Sequence, residues 1–387
     1  MIYDRMIIGG GAAGLYYAAC CPAGRGLILE KNDSPGQKLL LSGSGSCNLT
    51  HGGSIKDFIG HYGPGGPKIR SALYKGNNLL LMKFFTERGL ALTERTDGKV
   101  FPSSMKASQV LELLLRQAGE NGWEIRTGSP VTALEAEKDG TFFINGRLRT
   151  RQVVVAAGGC SYPATGSDGS MFPILEKLGL EIIEPKPALV PVTVQQYPYG
   201  ELSGISFRNA LVRIDGHSLK DDLLLTHSSF SGPAVLNLSR YARPGSSLRI
   251  DYVPGAEIPN AAGDRRKAVT FLADTLEIPR RFAEIILRRA GADPEAKASS
   301  LAASKLRTAA ALLRDDTFSI SGTSGFGSAM STSGGVSLTE VDLKTFECKK
   351  YPGLFIIGEA LDIDGDTGGY NLQFAFSSGY GAAKCVL

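Results

Sequence analysis

The sequence predicts an α/β fold in two parts, and three observations predict it. Residues 5–30 read as strand, glycine turn, helix and strand, which is a βαβ unit. Two further apolar strands, at 153–157 and 354–358, run into glycine and lie far apart in the chain. Between them the composition changes after Glu184-Pro185-Lys186-Pro187, first to alternating strands and then to a helical stretch rich in Ala, Arg and Leu. The organisation implied is a Rossmann-like nucleotide-binding domain in two segments, 1–186 and 335–387. The insert at 187–334 has a β part at 187–255 and a helical part at 256–318.

The elements follow in order. Met6-Ile7-Ile8 closes the first strand, residues 9–14 turn, 15–21 form a helix and 26–30 a second strand. A glycine-rich loop occupies 35–48. Residues 53–78 hold many Gly and Pro and read as an irregular excursion. Stretches 79–89 and 108–122 have helical periodicity, with Leu111, Leu114 and Leu115 on one face. Short strands are expected at 123–126, 131–137 and 141–144. In the insert, 210–214 and 247–252 alternate as antiparallel strands, and 260–315 is helical. Strand character returns at 335–338, and 369–387 closes the chain as a helix.

With 387 residues the chain can bury a large core, and 43% hydrophobic with 21% charged residues is ordinary for a soluble globular protein. A net charge of +4 is too small to argue for nucleic acid or a membrane surface. No apolar run approaches the length that crosses a bilayer. The six cysteines form no C-x-x-C pair, so neither a zinc site nor a redox dithiol is signalled, and no metal is expected. Together with an N-terminus lacking a signal peptide, this reads as a cytoplasmic protein with reduced thiols.

Gly9-Gly10-Gly11-Ala12-Ala13-Gly14 fits G-x-G-x-x-G. Gly9 allows the tight turn, Gly11 lets the backbone approach a pyrophosphate, and Gly14 lets helix and strand pack closely. Ala12 and Ala13 open the helix whose N-terminal dipole faces the phosphates. Glu30, at the end of the second strand, is placed for ribose hydroxyls. A classical NAD domain needs no second glycine segment, yet this chain has Gly36-Gln37-Lys38 and then Ser42-Gly43-Ser44-Gly45-Ser46-Cys47-Asn48. It also has Ala157-Gly158-Gly159 after a buried strand, and Gly358-Glu359 near the C-terminus. A long bent cofactor needs contacts from segments this far apart, which favours FAD, held non-covalently.

The chain resembles the BaiN/YhiN-like (aminoacetone oxidase-type) flavoproteins nearly end to end. The resemblance rests on Lys38-Leu39-Leu40-Leu41-Ser42-Gly43, Cys47-Asn48-Leu49-Thr50, Val100-Phe101-Pro102, Ser161-Tyr162-Pro163, Thr165-Gly166-Ser167, Thr226-His227, Ser231-Gly232-Pro233 and the run from Asp364-Gly365 to Leu372-Gln373. The family usually has Arg where Ser46 stands and Asn where His51 stands. The resemblance implies a two-segment FAD domain with a β-barrel-like and helical insert. It also implies redox chemistry on organic substrates, either reduction of conjugated C=C bonds or oxidation of small amines. It adds Lys31, Lys38, Ser42, Gly43, Gly45, Asn48, Val131 and Thr165 to the expected cofactor contacts.

At the C-terminal motif, Gly369 is expected to let the backbone approach the flavin, with Asn371, Leu372 and Gln373 opening the last helix. Such a helix start stabilises negative charge that develops on reduction. Tyr162, Tyr370 and His227 are candidate proton donors. Cys47 has no near partner for a catalytic disulfide and reads as a buried thiol.

The expected reaction is NAD(P)H-dependent reduction of an enone-type C=C in a small organic substrate. With no second fingerprint, the nicotinamide would visit transiently; Gly322-x-x-Gly325-x-Gly327 has the wrong order and no preceding strand signal. One alternative is a flavin oxidase of a small amine or amino acid. Another is a flavin-bearing module that binds nucleic acid or protein through the basic set Arg265, Arg266, Lys267, Arg280, Arg281, Arg288 and Arg289.

Overall fold

The computed structural model describes residues 2–257 and 260–385. The chain forms two compact units, residues 2–188 with 326–385, and Leu189–Gly325. The second crossing therefore falls at 325/326 rather than at 334/335. The reason is pairing: strand Ser331–Val336 runs antiparallel to Ile182–Ala188, which ties 331–334 to the first unit.

The first unit is built on a parallel sheet. Strand Ile2–Ile8 pairs in parallel with Gly26–Leu29 on one side and Leu148–Val155 on the other. Trp123–Arg126 continues the sheet beyond Gly26–Leu29, and Leu354–Ile356 pairs with Val153–Val155. These strands are apolar because both faces are covered: Gly26–Leu29 and Leu354–Ile356 are buried at every residue. The strand expected at 153–157 extends back to Leu148, where its first half pairs with the antiparallel strand Phe142–Ile144. Helices Ala12–Cys20, Ala107–Glu120 and Tyr370–Cys385 pack on this sheet around one hydrophobic core.

The excursion expected at 53–78 is largely helical, including a ten-residue helix, Gly66–Lys75. Its Gly and Pro lie at the start, where Pro67 occupies the first turn and loses no intrahelical bond. Ile69, Ala72 and Leu73 then bury one face.

Among the described residues, the second unit contains a closed six-stranded barrel and three helices of nine or more residues, Ala268–Leu276, Arg280–Arg289 and Ala303–Arg314. Strand Asp316–Thr323 closes the barrel between Ser247–Asp251 and Val192–Val194. It corrects two expectations, since the helical part ends before 318 and a strand does precede Gly325-x-Gly327. Asp316 is 1% exposed and takes Arg289 at 2.7 and 2.8 Å, with the hydroxyls of Tyr199 and Tyr252 also donating to it. The buried charge is thus fully partnered, as its burial requires. Among the described residues, no helix is long and apolar enough to cross a membrane.

Candidate cofactor site

The fingerprint forms the turn between the first strand and the first helix. Gly9 has φ +104°, and a Cβ there would lie 2.5 Å from Ala156 O. A Cβ on Gly14 would lie 2.2 Å from Gly9 O, which is why helix and turn can pack so closely. Gly11 differs from both. Its φ is an ordinary −85°, and a Cβ there would meet nothing within 4 Å. The loop therefore opens to free space at the position where a pyrophosphate would approach. Ala13 is buried against the sheet, and Ala12 is half-buried at the helix start.

Glu30 is 7% exposed. Its Oε2 accepts from Gly10 N at 2.9 Å and its Oε1 from Asn32 N at 2.9 Å. Each carboxylate oxygen keeps further acceptor capacity. The Glu30 carbonyl accepts from Ser129 N, which brings 129–131, and so Val131, beside it. Lys31 is ion-paired with Asp168 at 2.6 Å. Asn32 Nδ2 donates to Thr165 O at 2.9 Å, while Thr165 Oγ1 donates to Tyr162 O, so Thr165 is tied to the segment that follows Glu30.

In the second glycine segment, Gly43, Ser44, Gly45 and Cys47 all take positive φ. Ser42 Oγ donates to Leu39 O at 2.6 Å and closes the preceding helix, Gln37–Leu41. Asn48 is 9% exposed, and its Oδ1 has no hydrogen-bond partner among the described residues. A buried carbonyl without a donor is costly, so it marks a place built for another molecule's polar group. Cys47 is fully buried, and burial pushes its thiol up to about 12, which favours the neutral thiol near neutral pH.

Lys38 reaches Glu359. Its Nζ lies 2.5 Å from Glu359 Oε2 and donates to Ser161 Oγ at 2.5 Å. Glu359 follows Gly358, and Ser161 follows the turn of Ala157, Gly158 and Gly159, so the glycine segments expected at the cofactor converge on one polar cluster.

The last helix starts at Tyr370. Its first turn leaves the Asn371 and Leu372 N–H groups without intrahelical acceptors. Asn371 Oδ1 accepts from Gly365 N at 2.8 Å and its Nδ2 donates to Gly365 O at 2.8 Å, which fixes the loop before the helix. Two of the expected residues carry structural contacts of their own here. Gly369 has φ +98°, and its Cβ would lie 2.6 Å from Thr50 C and O. The close approach that demands glycine is therefore to the Thr50 backbone. Gln373 is fully buried and engaged within the protein, with Thr50 Oγ1 at 2.6 Å, Gly76 O at 2.7 Å and Ser377 Oγ at 2.9 Å. Its backbone N–H donates to Gly369 O, so Gln373 braces the helix start.

The three candidate proton donors fall in different units and environments. His227 is exposed, in the turn 226–229 of the second unit. Tyr162 is half-buried in the first unit and held at φ +53°, a left-handed conformation unusual for a non-glycine residue. Tyr370 is 5% exposed, its ring stacked between His61 (centroids 4.0 Å apart) and His51 (5.4 Å), with Asp366 3.1 Å from His61. Burial, and then the Asp366 carboxylate, push its phenol well above the usual tyrosine range. Sequence reasoning missed this stack, because 51, 61 and 370 share no spacing; only their aromatic character was on view.

The residues present fit an FAD. Gly11 leaves an open cradle, Glu30 retains acceptor capacity, and Asn48 Oδ1 awaits a donor. Comparison with known proteins agrees with the fold and chemistry. The HI0933-like protein Rossmann domain family matches residues 3–385. The ribosomal RNA dihydrouridine synthase of Escherichia coli K12 is 31% identical over 397 aligned residues, covering 100% of this chain and 98% of that protein. The 3-dehydro-bile acid delta(4,6)-reductase of Clostridium scindens is 29% identical, covering 98% of each. Among solved structures, the 3-ketosteroid-Δ4-(5α)-dehydrogenase of Rhodococcus jostii RHA1 superposes with TM-score 0.52 at 16% identity, covering 98% of this chain and 96% of that one, a likeness of fold. The chain belongs to the HI0933-like family of Rossmann-fold flavoproteins and is an FAD-dependent oxidoreductase.

Proposed function

We propose that this protein reduces a carbon–carbon double bond conjugated to a carbonyl, with NADH or NADPH as a visiting electron donor. The observation that carries the reading is that two full-length relatives of different name are both named for saturating such a bond. One is a bile acid delta(4,6)-reductase, and the other makes dihydrouridine, in which the uracil 5,6 bond beside the C4 carbonyl is reduced. Bound FAD supplies hydride transfer, from the nicotinamide and on to the β-carbon. The protein holds the cofactor through the Gly11 opening, Glu30, Asn48 and the start of the last helix, and supplies the proton that the α-carbon takes up.

Glu30→Ala is expected to weaken FAD binding by roughly 1.5–3 kcal/mol, the worth of hydrogen bonds to a charged acceptor. It also leaves the Gly10 and Asn32 N–H groups without their partner, so the melting temperature should fall. Titration of apoprotein with FAD checks it, and wild-type affinity would remove Glu30 from the ribose site.

Tyr162 is our choice of proton donor, since it is half-buried beside the Gly158-Gly159 turn whereas Tyr370 is enclosed by its stack. Tyr162→Phe should leave cofactor reduction by NAD(P)H unchanged. It should slow reoxidation by the unsaturated substrate about tenfold, less than a fully enclosed acid would cost because water reaches a half-buried phenol. Equal rates in both half-reactions would exclude it.

A second reading concerns the substrate. The relatives' names leave a free steroid-like enone and a uracil within RNA as the two classes. The basic set on the helical part was the sequence's argument for nucleic acid, and much of it is paired internally. Arg266 meets Asp264 at 2.7 Å, Lys267 meets Glu295 at 2.5 Å, Arg288 meets Glu284 at 2.5 Å and Arg289 meets Asp316 at 2.7 Å. We therefore favour the free small molecule. The six free cysteines suit a reducing, cytoplasmic setting.

The test is anaerobic reduction of the holoenzyme by NADH and NADPH, then mixing with a 4-en-3-one steroid, with uridine-containing ribosomal RNA, or with O2. Rapid reoxidation by the steroid with a dihydro product supports the proposal. Reoxidation by RNA alone makes it an RNA reductase, and rapid reoxidation by O2 alone makes it an oxidase.

A further inference from the structure

Lys38 and Glu359 are 321 positions apart in sequence, yet they form an ion pair held by several further hydrogen bonds. Their side chains are 25% and 20% exposed. Glu359 Oε1 accepts from Ser161 Oγ at 2.7 Å and from Thr332 N at 2.8 Å, while Oε2 takes Lys38. Lys38 Nζ also reaches Ser161 Oγ at 2.5 Å and Ser167 Oγ at 3.4 Å. Each group is thus fixed from several sides.

The location of the pair is specific. Gly36, which caps the helix of Lys38, donates its N–H to Gly10 O of the fingerprint turn at 2.9 Å. Gly358, beside Glu359, has its N–H on Ser378 of the last helix, and its Cβ direction meets Ala13 of the first helix at 2.9 Å. Ser331, next to Thr332, donates to Asn371 Oδ1 at 3.1 Å at the start of the last helix. The pair therefore hangs between the fingerprint and the helix start, beside Gly158 and Gly159. A partly buried ion pair is a poor way to gain stability, because desolvation offsets its attraction and apolar replacements often do as well. A pair of full charges held at this place has its largest effect on a group whose charge changes there.

We propose that the Lys38 ammonium favours the reduced, negatively charged cofactor, and that Glu359 is the positioning residue that holds it and offsets its charge. The inference rests on the cofactor placement proposed above. Lys38 donates to Ser161, Ser167 and Glu359, so it acts through its charge.

The test is the ratio of affinities for reduced and oxidised FAD, read as the midpoint potential of the holoenzyme with no substrate present. Lys38→Met should lower the preference for reduced cofactor on the order of tenfold, the usual effect of removing an opposite charge a few ångström away. Glu359→Gln should raise it, and the double variant should fall between the two. Lys38→Arg, which keeps the charge, should stay near wild type and serves if Lys38→Met loses its cofactor. Shifts of the same sign in both single variants, or no shift in either, would overturn the proposal, because a merely structural pair has no reason to move the potential in opposite directions. Such a result would leave the unsaturated-carbonyl reading intact, since that stands on turnover; wild-type FAD affinity in Glu30→Ala would instead remove the cofactor placement.

Discussion

Gly11→Val is expected to give a folded protein that binds FAD at least about 100-fold more weakly, near 3 kcal/mol, the upper end of what overpacking a closed site costs. The position has ordinary φ and an empty Cβ direction, so the substitution meets no protein atom at the β-carbon and needs no strained backbone. The same emptiness is where a pyrophosphate would contact the turn, so the isopropyl group competes with the ligand alone. Gly14→Ala is the contrasting control: its methyl would lie 2.2 Å from Gly9 O, and the fold itself should weaken. Thermal melts with FAD titration separate the two. A Gly11→Val protein that purifies yellow with wild-type affinity would mean the cofactor does not pass this turn.

That contrast shows what the sequence could express. The close packing at Gly14 is against Gly9 O, five residues away, and the apolar strands 153–155 and 354–356 announce a sheet covered on both faces. Local rules suffice there. They failed at 66–75, where Gly and Pro suggested a loop although both sit in the first turn of a helix and the apolar residues beyond it carry the burial. They could not reach Lys38 and Glu359 at all, because nothing within a short window says that a lysine of the second helix meets a glutamate 321 positions later. Gln373 is similar: its place in the C-terminal motif was legible, but its bonds to Thr50 and Gly76 arise only when the last helix packs against the 50–78 region.

Gly369→Val is expected to slow cofactor reduction by any donor about 100-fold, the scale of a displacement near 1 Å at a reacting centre. The added β-carbon would lie 2.6 Å from Thr50 C and O and 2.8 Å from its Cα, and backbone cannot yield as a flexible side chain would. The φ of +98° adds strain for any L side chain. Either the strand of Thr50 moves, breaking its 2.6 Å bond to Gln373, or the helix start moves and takes the Asn371 and Leu372 N–H groups with it. Those groups stabilise negative charge only where they point, so the flavin potential should fall along with the rate. Because the clash begins at the β-carbon, Gly369→Ala should show most of the same loss. A side chain meeting the flavin ring instead would make valine far worse than alanine. FAD should stay partly bound in both variants through Glu30 and the Gly11 opening, which lets potential and reduction rate be measured on loaded protein. Wild-type rate and potential in Gly369→Ala would show that the last helix does not act on the cofactor, whatever holds it.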